Sequence, residues 1–299
     1  MKESYLKQAK LVVRCIPAIA AEKCFAIKGG TAINLFQLDL PRLSVDIDLT
    51  YVKFDDRVTS ITEINAALNR IVNRLKGLGF QAALRGAEES KKVYCSDGDV
   101  AIKIEPNYIL RGTVYPVRET YVCDEMTRLS GCEAYMNVLS FAELYGGKIC
   151  AALDRQHPRD LFDIDRFYDG HSLSEVKDGF IALALGHNRP LHELLNPIMQ
   201  DERDIFEQQF SGMSDVPFSY ERHLATFERL RKDVLTLFDD NDKVRLLDFV
   251  SLTGDLADFA IPHLSELPAI NWKRRNLESL RKSNPAKFAE QRTRLEQLF

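Results

Sequence analysis

The sequence predicts an α+β fold, in which a lobe of strands and helices precedes a mainly helical lobe. Strand-like runs alternate with helix-like segments in the first half of the chain, and they thin out after about Gly170. The composition supports a sizeable core, since 45% of the 299 residues are apolar and 28% are charged. The length favours one or two domains. We therefore expect two domains, residues 1–170 and residues 171–299.

Three short segments of the first lobe have the pattern of strands. Residues 24–27 are apolar and are followed by Gly29-Gly30, which predicts a strand that ends in a turn. Residues 45–51 and residues 100–105 alternate between apolar and polar side chains, as half-buried strands do. These three strands would form part of one mixed sheet.

Capping residues followed by apolar stripes predict the helices. Thr62 is a candidate N-cap, and Ser140 with Glu143 forms a capping box. Pro158 suits the first turn of a helix, where its missing N–H group costs nothing. The predicted helices cover residues 62–79, 140–153, 159–168, 219–238 and 271–299, the last with a break at Pro285.

The composition argues against several classes of protein. No apolar run approaches the roughly 20 residues that a membrane-spanning helix needs. The first residues lack the apolar core of a secretory signal, so we expect a cytoplasmic protein with no membrane contact. The six cysteines include no C-x-x-C pair, and the six histidines include no H-x-x-x-H or H-E-x-x-H unit, which argues against a zinc site. Any bound metal should be a hard ion held by oxygen atoms.

The charge is distributed unevenly along the chain. The net charge is −4, but residues 271–299 contain eight Lys or Arg and three Glu, a net charge of +5. The remaining residues therefore carry −9. A basic tail on an acidic body suggests a polyanionic partner, although a solvated amphipathic helix has the same composition.

The sharpest motif joins a glycine turn to a pair of acids. Asp46 and Asp48 are two residues apart on a predicted strand, so their side chains project from one face. Two close carboxylates repel each other unless a cation lies between them, and oxygen ligands favour Mg²⁺ or Mn²⁺. Gly29-Gly30-Thr31 leads into a helix, whose free N–H groups suit a phosphate. The alternatives are an exposed acid pair and an ordinary turn.

Glu105 is a candidate third carboxylate, on the predicted strand that also carries Lys103. Three acids on two neighbouring strands could hold two Mg²⁺ ions, one to activate an attacking hydroxyl and one to bind the triphosphate and the leaving pyrophosphate. The alternative is a surface pair in which Lys103 and Glu105 neutralise each other.

Charged residues in two predicted helices complete the candidate site. Lys148 interrupts the apolar helix ELYGGKICAAL, which suggests either a cation directed at phosphates or a side chain at the edge of the apolar stripe. Asp160 and Asp163 are three residues apart, near one face of the next helix. Arg159 is a further candidate for nucleotide binding. The alternatives are a helix-dipole interaction for Asp160 and a structural ion-pair network.

Five segments occur along the chain in the order GGTAINLFQLDLPRLSVDIDLTY, VAIKIEPNY, ELYGGKICAAL, RDLFDID and LPAINWKRRNLESL. Together they resemble the AbiEii/AbiGii-type toxin nucleotidyltransferases. These proteins are the toxins of type IV toxin–antitoxin and phage-abortive-infection systems, and the MenT toxins are relatives. The resemblance covers most of the chain and is far more specific than the acid pair alone.

The resemblance implies a fold, a reaction and partners. The implied fold is a DNA polymerase β-like nucleotidyltransferase lobe with a mixed sheet, joined to a helical lobe. The implied reaction moves a nucleotide from an NTP to an acceptor with Mg²⁺ or Mn²⁺, and some relatives modify tRNA acceptor ends. The family also implies a cognate antitoxin encoded nearby, and the two proteins need not form a complex.

The first motif of the family matches the glycine turn and the acid pair. Gly30 and Thr31 match the Gly-Ser/Thr turn, and Gly29 precedes them as a further candidate for nucleotide binding. Asp46 and Asp48 match the metal-binding acids. The resemblance therefore implies that this segment holds both the metal and the nucleotide.

The later motifs match the remaining candidates. Lys103 and Glu105 match a K-x-D motif, with Glu in place of Asp, and the extra methylene group changes the reach of the metal-binding carboxylate. Lys148 matches a helix lysine that meets the triphosphate. Asp160 and Asp163 match the last acidic motif, and the match does not distinguish which of the two is essential.

We expect an NTP-dependent nucleotidyltransferase toxin that modifies RNA, with tRNA as the expected acceptor. The basic residues expected to bind the RNA backbone are Lys273, Arg274, Arg275, Arg281 and Lys282. Two alternatives stay open. One is a nucleotide-binding module that binds RNA or a protein without catalysis, and the other is a transferase that acts on a protein or a small molecule.

Overall fold

A seven-stranded mixed sheet lies in the first of two structural units. The computed structural model describes residues 1–299. The first unit comprises Met1–Ser140 and Phe210–Pro217, and the second comprises Phe141–Gln209 and Phe218–Phe299. The second unit begins before the predicted boundary at residue 170, because the helix that starts at Phe141 packs mainly against a helix beyond that boundary.

The strands of the sheet are short and come from widely separated parts of the first unit. They are β1 (Phe25–Lys28), β2 (Ile47–Tyr51), β3 (Gln81–Arg85), β4 (Lys92–Ser96), β5 (Ala101–Asn107), β6 (Arg118–Tyr121) and β7 (Tyr135–Val138). Their order across the sheet is β3-β4-β5-β2-β1-β7-β6. β2 runs parallel to β5 and β1 runs parallel to β7, while the other neighbours are antiparallel. The mixed sheet confirms the predicted α+β class.

The strands that carry the candidate acids form where the sequence alternates. In β5, Ile102 and Ile104 are buried while Lys103 is exposed. β2 begins at Ile47, so Asp46 lies directly before the strand rather than within it. Four strands, β3, β4, β6 and β7, lie outside the predicted ones. Of these, β6 is a largely exposed edge strand and therefore lacks an apolar stripe.

Four helices accompany the sheet in the first unit. They are α1 (Glu3–Ala20), α2 (Gly29–Ala32), which continues into a π-helical turn (Ile33–Gln37), α3 (Arg57–Gly77) and α4 (Asp124–Ser130). The helix predicted to begin at Thr62 starts earlier, because the Asp56 carboxylate accepts hydrogen bonds from the backbone N–H groups of Val58 and Thr59. Thr62 lies inside α3, and its hydroxyl donates to the Val58 carbonyl.

The second unit is helical. Its α-helices are α5 (Phe141–Arg155), α6 (Pro158–Phe167), α7 (Lys177–Leu185), α8 (Leu191–Leu195), α9 (Arg203–Ile205), α10 (Tyr220–Thr236), α11 (Asp240–Ser251), α12 (Pro268–Ser283) and α13 (Pro285–Glu296). Short 3₁₀ helices cover Leu173–Val176, Leu256–Phe259 and Leu264–Glu266. Pro285 separates α12 from α13, as predicted. None of the helices has both the length and the apolar character needed to cross a membrane.

Two glycines let α5 and α7 approach until their backbones touch. A Cβ atom at Gly146 would lie 2.5 Å from the carbonyl carbon of Gly179 and 2.5 Å from the backbone nitrogen of Phe180. A Cβ atom at Gly179 would overlap the carbonyl group of Ala142. The close contact fixes the position of α5, the helix that carries Lys148.

We expect Gly146→Ala to destabilise the second unit. The new methyl group would push against backbone atoms of α7, and overpacking of this kind costs about 1–3 kcal/mol. Thermal unfolding followed by circular dichroism measures the loss. Gly170→Ala is the matched control, because nothing lies within 4 Å of a Cβ atom at that position. Equal melting temperatures for Gly146→Ala and the unmodified protein would contradict the tight contact.

Candidate functional site

The register of the sheet brings two of the three candidate acids side by side. β2 and β5 are parallel neighbours, with Asp48 aligned with Glu105 and Ile47 aligned with Ile104. Aligned residues on neighbouring strands point to the same face of a sheet. Both isoleucines are buried, so both acids lie on the opposite face, and each is only partly buried. Asp46 is also half-buried and lies directly before β2.

The glycine turn lies directly against this acidic face. Lys28, the last residue of β1, is aligned with Asp48, and Gly29 follows with a φ of +70°. A Cβ atom at Gly29 would lie 2.8 Å from Oδ2 of Asp48. Glycine is required here for two reasons, the left-handed backbone and the close approach of the carboxylate.

Gly30 makes room for an arginine that sequence reasoning missed. A Cβ atom at Gly30 would overlap the guanidinium group of Arg42, which is 2% exposed. Nη1 of Arg42 donates to the carbonyl of Leu43 at 3.0 Å. No local pattern marks Arg42, because its place beside the glycine turn depends on how the loop before β2 folds back. The structure thus puts a buried positive charge next to the candidate phosphate-binding turn.

The Thr31 hydroxyl group forms hydrogen bonds within the chain. It donates to the carbonyl of Asp46 and lies 2.8 Å from Oγ of Ser44, and Thr31 is 1% exposed. These bonds tie the start of α2 to the segment that leads into β2. The geometry supports a role for Thr31 in fixing the position of Asp46, whereas its predicted contact with a nucleotide stays a prediction.

Glu105 is held by two lysines. Nζ of Lys92 lies 2.5 Å from Oε2 of Glu105, and Nζ of Lys103 lies 3.9 Å from Oε1. The hydrogen bond to Glu105 raises the pKa of Lys92, and the charge of Asp48 contributes to the rise. Sequence reasoning missed Lys92, because only the antiparallel register of β4 and β5, with Val93 opposite Ile104, puts it beside Glu105.

The carboxylates fit a magnesium site in part. Asp46 and Asp48 supply the oxygen ligands that Mg²⁺ and Mn²⁺ prefer. No three acidic, histidine or cysteine side chains converge closely enough to hold a metal ion, and the carboxylate of Glu105 bonds to Lys92 instead. The oxygen ligands of Asp46 and Asp48 suit the predicted metal by their chemistry, and the roles of Asp46, Asp48 and Glu105 as ligands stay predictions.

In the second unit, Lys148 lies between two buried aspartates. Its Nζ is 2.8 Å from Oδ1 of Asp160 and 2.9 Å from Oδ2 of Asp163. Lys148 is 5% exposed, and the two aspartates are almost fully buried. Arg155 binds Asp160 as well, with its Nε 2.6 Å from Oδ2. The structure thus brings together three of the predicted site residues, Lys148, Asp160 and Asp163.

Arg159, a further predicted site residue, is half-buried in the first turn of α6. Its backbone N–H donates to the ring of His157.

The ion pairs of this cluster outweigh the cost of burial. Burial favours the neutral carboxyl group, but the charges of Lys148 and Arg155 hold the pKa of Asp160 well below its usual range. Burial also raises the pKa of Tyr145, and the charge of Asp163 adds to this rise. The Asp160 carboxylate is therefore negatively charged at neutral pH, with Lys148 and Arg155 as its counterions.

The chain matches the family described as nucleotidyl transferase AbiEii toxin, type IV toxin–antitoxin system, over residues 10–271. The protein belongs to the AbiEii family. One similar solved structure is MenT4, a nucleotidyltransferase toxin from Mycobacterium tuberculosis H37Rv, with a TM-score of 0.59 and 16% sequence identity over 80% of this chain and 87% of that chain. No curated protein matches the chain by sequence.

Membership of the AbiEii family confirms the resemblance seen in the sequence. The match covers most of the chain and includes all of the motifs on β2, β5, α5 and α6. The similarity to MenT4 confirms the fold. The protein is thus a nucleotidyltransferase toxin of the type IV toxin–antitoxin class, a class that includes an antitoxin and uses a nucleotide as substrate.

The basic residues predicted to bind RNA in this AbiEii protein do not all face solvent. Nζ of Lys273 donates to the carbonyls of His187, Asn188 and Arg189, which follow α7, at 2.7–3.1 Å. Burial lowers the pKa of Lys273 to about 8. Its charge stabilises these carbonyls, so we do not retain Lys273 among the residues proposed to bind RNA. Arg274 is half-buried, and the other three predicted residues are exposed.

We expect Gly29→Ala to destabilise the first unit by two separable effects. The left-handed backbone costs a non-glycine residue about 1–2 kcal/mol, and the new methyl group would press on the Asp48 carboxylate. A double-mutant cycle with Asp48→Ala, measured by chemical denaturation, should show that the cost of Gly29→Ala falls when the carboxylate is absent. Gly79→Ala is the control, since Gly79 has a φ of +87° and no neighbour within 4 Å. Strict additivity of Gly29→Ala and Asp48→Ala would contradict the close approach.

We expect Lys148→Met to lower the melting temperature strongly at neutral pH. The variant leaves two buried carboxylates without their main counterion, and breaking a buried pair in this way costs about 3–5 kcal/mol. Lys177→Met is the control, because Lys177 pairs with Asp242 but is partly exposed. A loss no larger than that of Lys177→Met would contradict the buried network.

The pH dependence of the same variant checks the electrostatic cause. In the unmodified protein the pKa of Asp160 is lower than in the unfolded chain, where it is about 4. The ionised Asp160 carboxylate therefore stabilises the folded protein above about pH 4, and this stabilisation is lost as the pH falls below that value. In Lys148→Met, Asp160 keeps Arg155 but loses the charge of Lys148, so burial is opposed less and the pKa of Asp160 rises relative to that in the unmodified protein. The difference in melting temperature between the two proteins should therefore narrow as the pH falls towards about 4.

Proposed function

We propose that this protein transfers a nucleotidyl group from an NTP to a hydroxyl group of RNA, with tRNA as the acceptor, in a reaction that depends on Mg²⁺ or Mn²⁺. The observation that carries the proposal is the parallel register that puts Asp48 beside Glu105, with Gly29 against the Asp48 carboxylate. A carboxylate next to a glycine turn suits a metal-bound triphosphate, because the carboxylate binds the cation and the backbone N–H groups of the turn can donate to phosphate oxygens. The NTP and the RNA acceptor would place the reaction in the cytoplasm.

Four residues of the first unit, Asp46, Asp48, Thr31 and Arg42, have proposed parts in this reaction. Asp46 and Asp48 hold the divalent ion, which supplies Lewis-acid stabilisation of the phosphate charge. The acceptor hydroxyl attacks the α-phosphorus, its proton is released, and the bond to the β-phosphate breaks so that pyrophosphate leaves. Thr31 keeps Asp46 in position through the Asp46 carbonyl. The buried guanidinium of Arg42 adds positive charge beside the glycine turn, which favours an anionic substrate.

We also propose that transfer requires Lys148. The resemblance to the family implies that this lysine meets the triphosphate, and the two ion pairs of the side chain hold its ammonium group in one place. A cation that is fixed before the substrate binds stabilises phosphate charge without reorganisation at the moment of reaction. Asp160 and Asp163 then act as positioning residues, and the one that proves essential is the one whose Asn variant loses transfer without losing stability.

One observation favours the binding-only alternative. Lys92 and Lys103 neutralise Glu105, so the third carboxylate has protein cations as partners in this conformation. A protein that binds nucleotides without catalysis would keep these ion pairs. A transferase would exchange them when the divalent ion and the NTP bind. The antitoxin, which the family implies, is proposed to act without a required direct complex.

We expect Asp48→Asn to abolish label transfer from α-³²P-labelled NTP to RNA while the protein stays folded. The substitution removes the negative charge that binds the divalent ion but keeps the size of the side chain. The measurement incubates the protein with each labelled NTP, total RNA and Mg²⁺ or Mn²⁺, and separates the products on a denaturing gel. A labelled band of tRNA size with the unmodified protein identifies both the nucleotide and the acceptor.

The matched control is Asp99→Asn, an exposed aspartate of the same unit. It should transfer label at the rate of the unmodified protein. Undiminished transfer by pure Asp48→Asn would overturn the proposed metal site. Label on a protein or a small molecule instead of RNA would support the other transferase alternative. Binding of an NTP without any transfer would support the binding-only protein.

A further inference from the structure

The single tryptophan of the chain lies on the surface of α12. Trp272 is 56% exposed, although indole is the side chain with the most apolar area to bury. No other ring of the chain stacks on it. Arg275, Asn276 and Ser279 follow at helical spacing and are exposed as well. We call the surface formed by Trp272, Arg275, Ser279 and Lys282 the outward face of α12.

The charge of α12 is strongly positive, and little of it is neutralised. Residues 268–283 contain five basic residues and one acidic residue, a net charge of +4. No carboxylate lies within ion-pair distance of Arg275, Arg281 or Lys282. The neighbouring helix differs in this respect, since its arginines Arg292 and Arg294 pair with acids. The outward face of α12 therefore keeps positive charge available for an external partner.

An exposed aromatic ring among free cations is the combination that binds single-stranded nucleic acid. Unpaired bases stack on aromatic side chains, and the surrounding cations bind the phosphates. Neither feature alone is specific. Their coincidence on one helix face favours RNA over a protein partner, because Trp272 is the only large apolar side chain exposed on α12 and the face therefore lacks the apolar core of a protein interface.

We infer that the outward face of α12 binds an unpaired segment of RNA, with one base stacked on the indole of Trp272. The inference deepens the proposed function, because it rests on RNA as the acceptor class and supplies a docking surface for it. Trp272 provides stacking that tolerates any base, and Arg275 and Lys282 provide phosphate contacts. Lys273, the cation next to Trp272 in sequence, takes no part, since its ammonium group is bound to carbonyls of the chain.

The experiment uses the full chain, without NTP, and a short unstructured RNA oligonucleotide. Because Trp272 is the only tryptophan, its fluorescence reports directly on this face. We expect RNA to quench the emission, and we expect Trp272→Ala to weaken RNA binding about ten-fold in a fluorescence-anisotropy titration with labelled RNA. Trp272→Phe should keep most of the affinity, because it keeps an aromatic face.

The salt dependence tests the phosphate contacts. Arg275→Gln and Lys282→Gln should each lower the slope of log affinity against log salt concentration by about 0.7, since each removes one phosphate contact to a single strand. Lys232→Gln and Ile198→Ala are the controls, an exposed cation and an exposed apolar residue elsewhere in the same unit. Both should bind RNA like the unmodified protein.

The outcomes separate this inference from the proposed reaction. Asp48→Asn should bind RNA normally and fail only in transfer. If Trp272→Ala and the two Gln variants bind RNA as tightly as the unmodified protein, the docking surface is wrong while the transferase proposal stands. Unchanged emission at saturating RNA would likewise overturn stacking on Trp272. If the unmodified protein binds no RNA, the inference fails, and label transfer to another acceptor then decides the reaction separately.

Discussion

The parallel pairing of β2 with β5 is the constraint on which the candidate site depends. The register is set by apolar burial, because Ile47 and Ile104 are aligned and both are fully buried. Each buried isoleucine contributes about 1.5–3 kcal/mol, and a slip by one residue would turn one of them towards solvent. The same register fixes Asp48 beside Glu105 on the other face. The chemistry of the acidic face is thus held in place by the core beneath it.

Neutralisation of charge, rather than apolar burial, fixes the position of Lys148 in the second unit. Lys148 has a charge that burial would otherwise make costly, so its ammonium group needs counterions within the helices. Asp160 and Asp163 supply them, and Gly146 lets the helix that carries Lys148 pack tightly on α7. Removing one partner of such a cluster leaves a buried charge uncompensated, so the three side chains hold one another in a single arrangement. A fixed cation is useful for a reaction that handles phosphates.

Local patterns predicted much of the fold, and they failed where long-range pairing decides. Alternation located β2 and β5, and the spacing of Asp160 and Asp163 predicted their common face. Nothing in the sequence near Lys92 indicates that it would bind Glu105, because that contact depends on the register of two antiparallel strands. The start of α3 was missed for a local reason, since Asp56 and Thr62 are both good caps and only the backbone geometry shows that Asp56 is used.

Residues with the same formal charge have different roles here, and their partners decide which. Lys273 was predicted to bind RNA from composition alone, but three backbone carbonyls already use its donors. Lys92 neutralises an acid of the candidate site. Arg275 and Lys282 lack such partners and are exposed, so their charge acts on the solvent side of the helix. Not all of the net charge of +4 on α12 is therefore accessible to a ligand. The accessible positive charge lies around the exposed ring of Trp272. For this reason the indole and its free cations, rather than the basic tail as a whole, define the surface proposed for RNA.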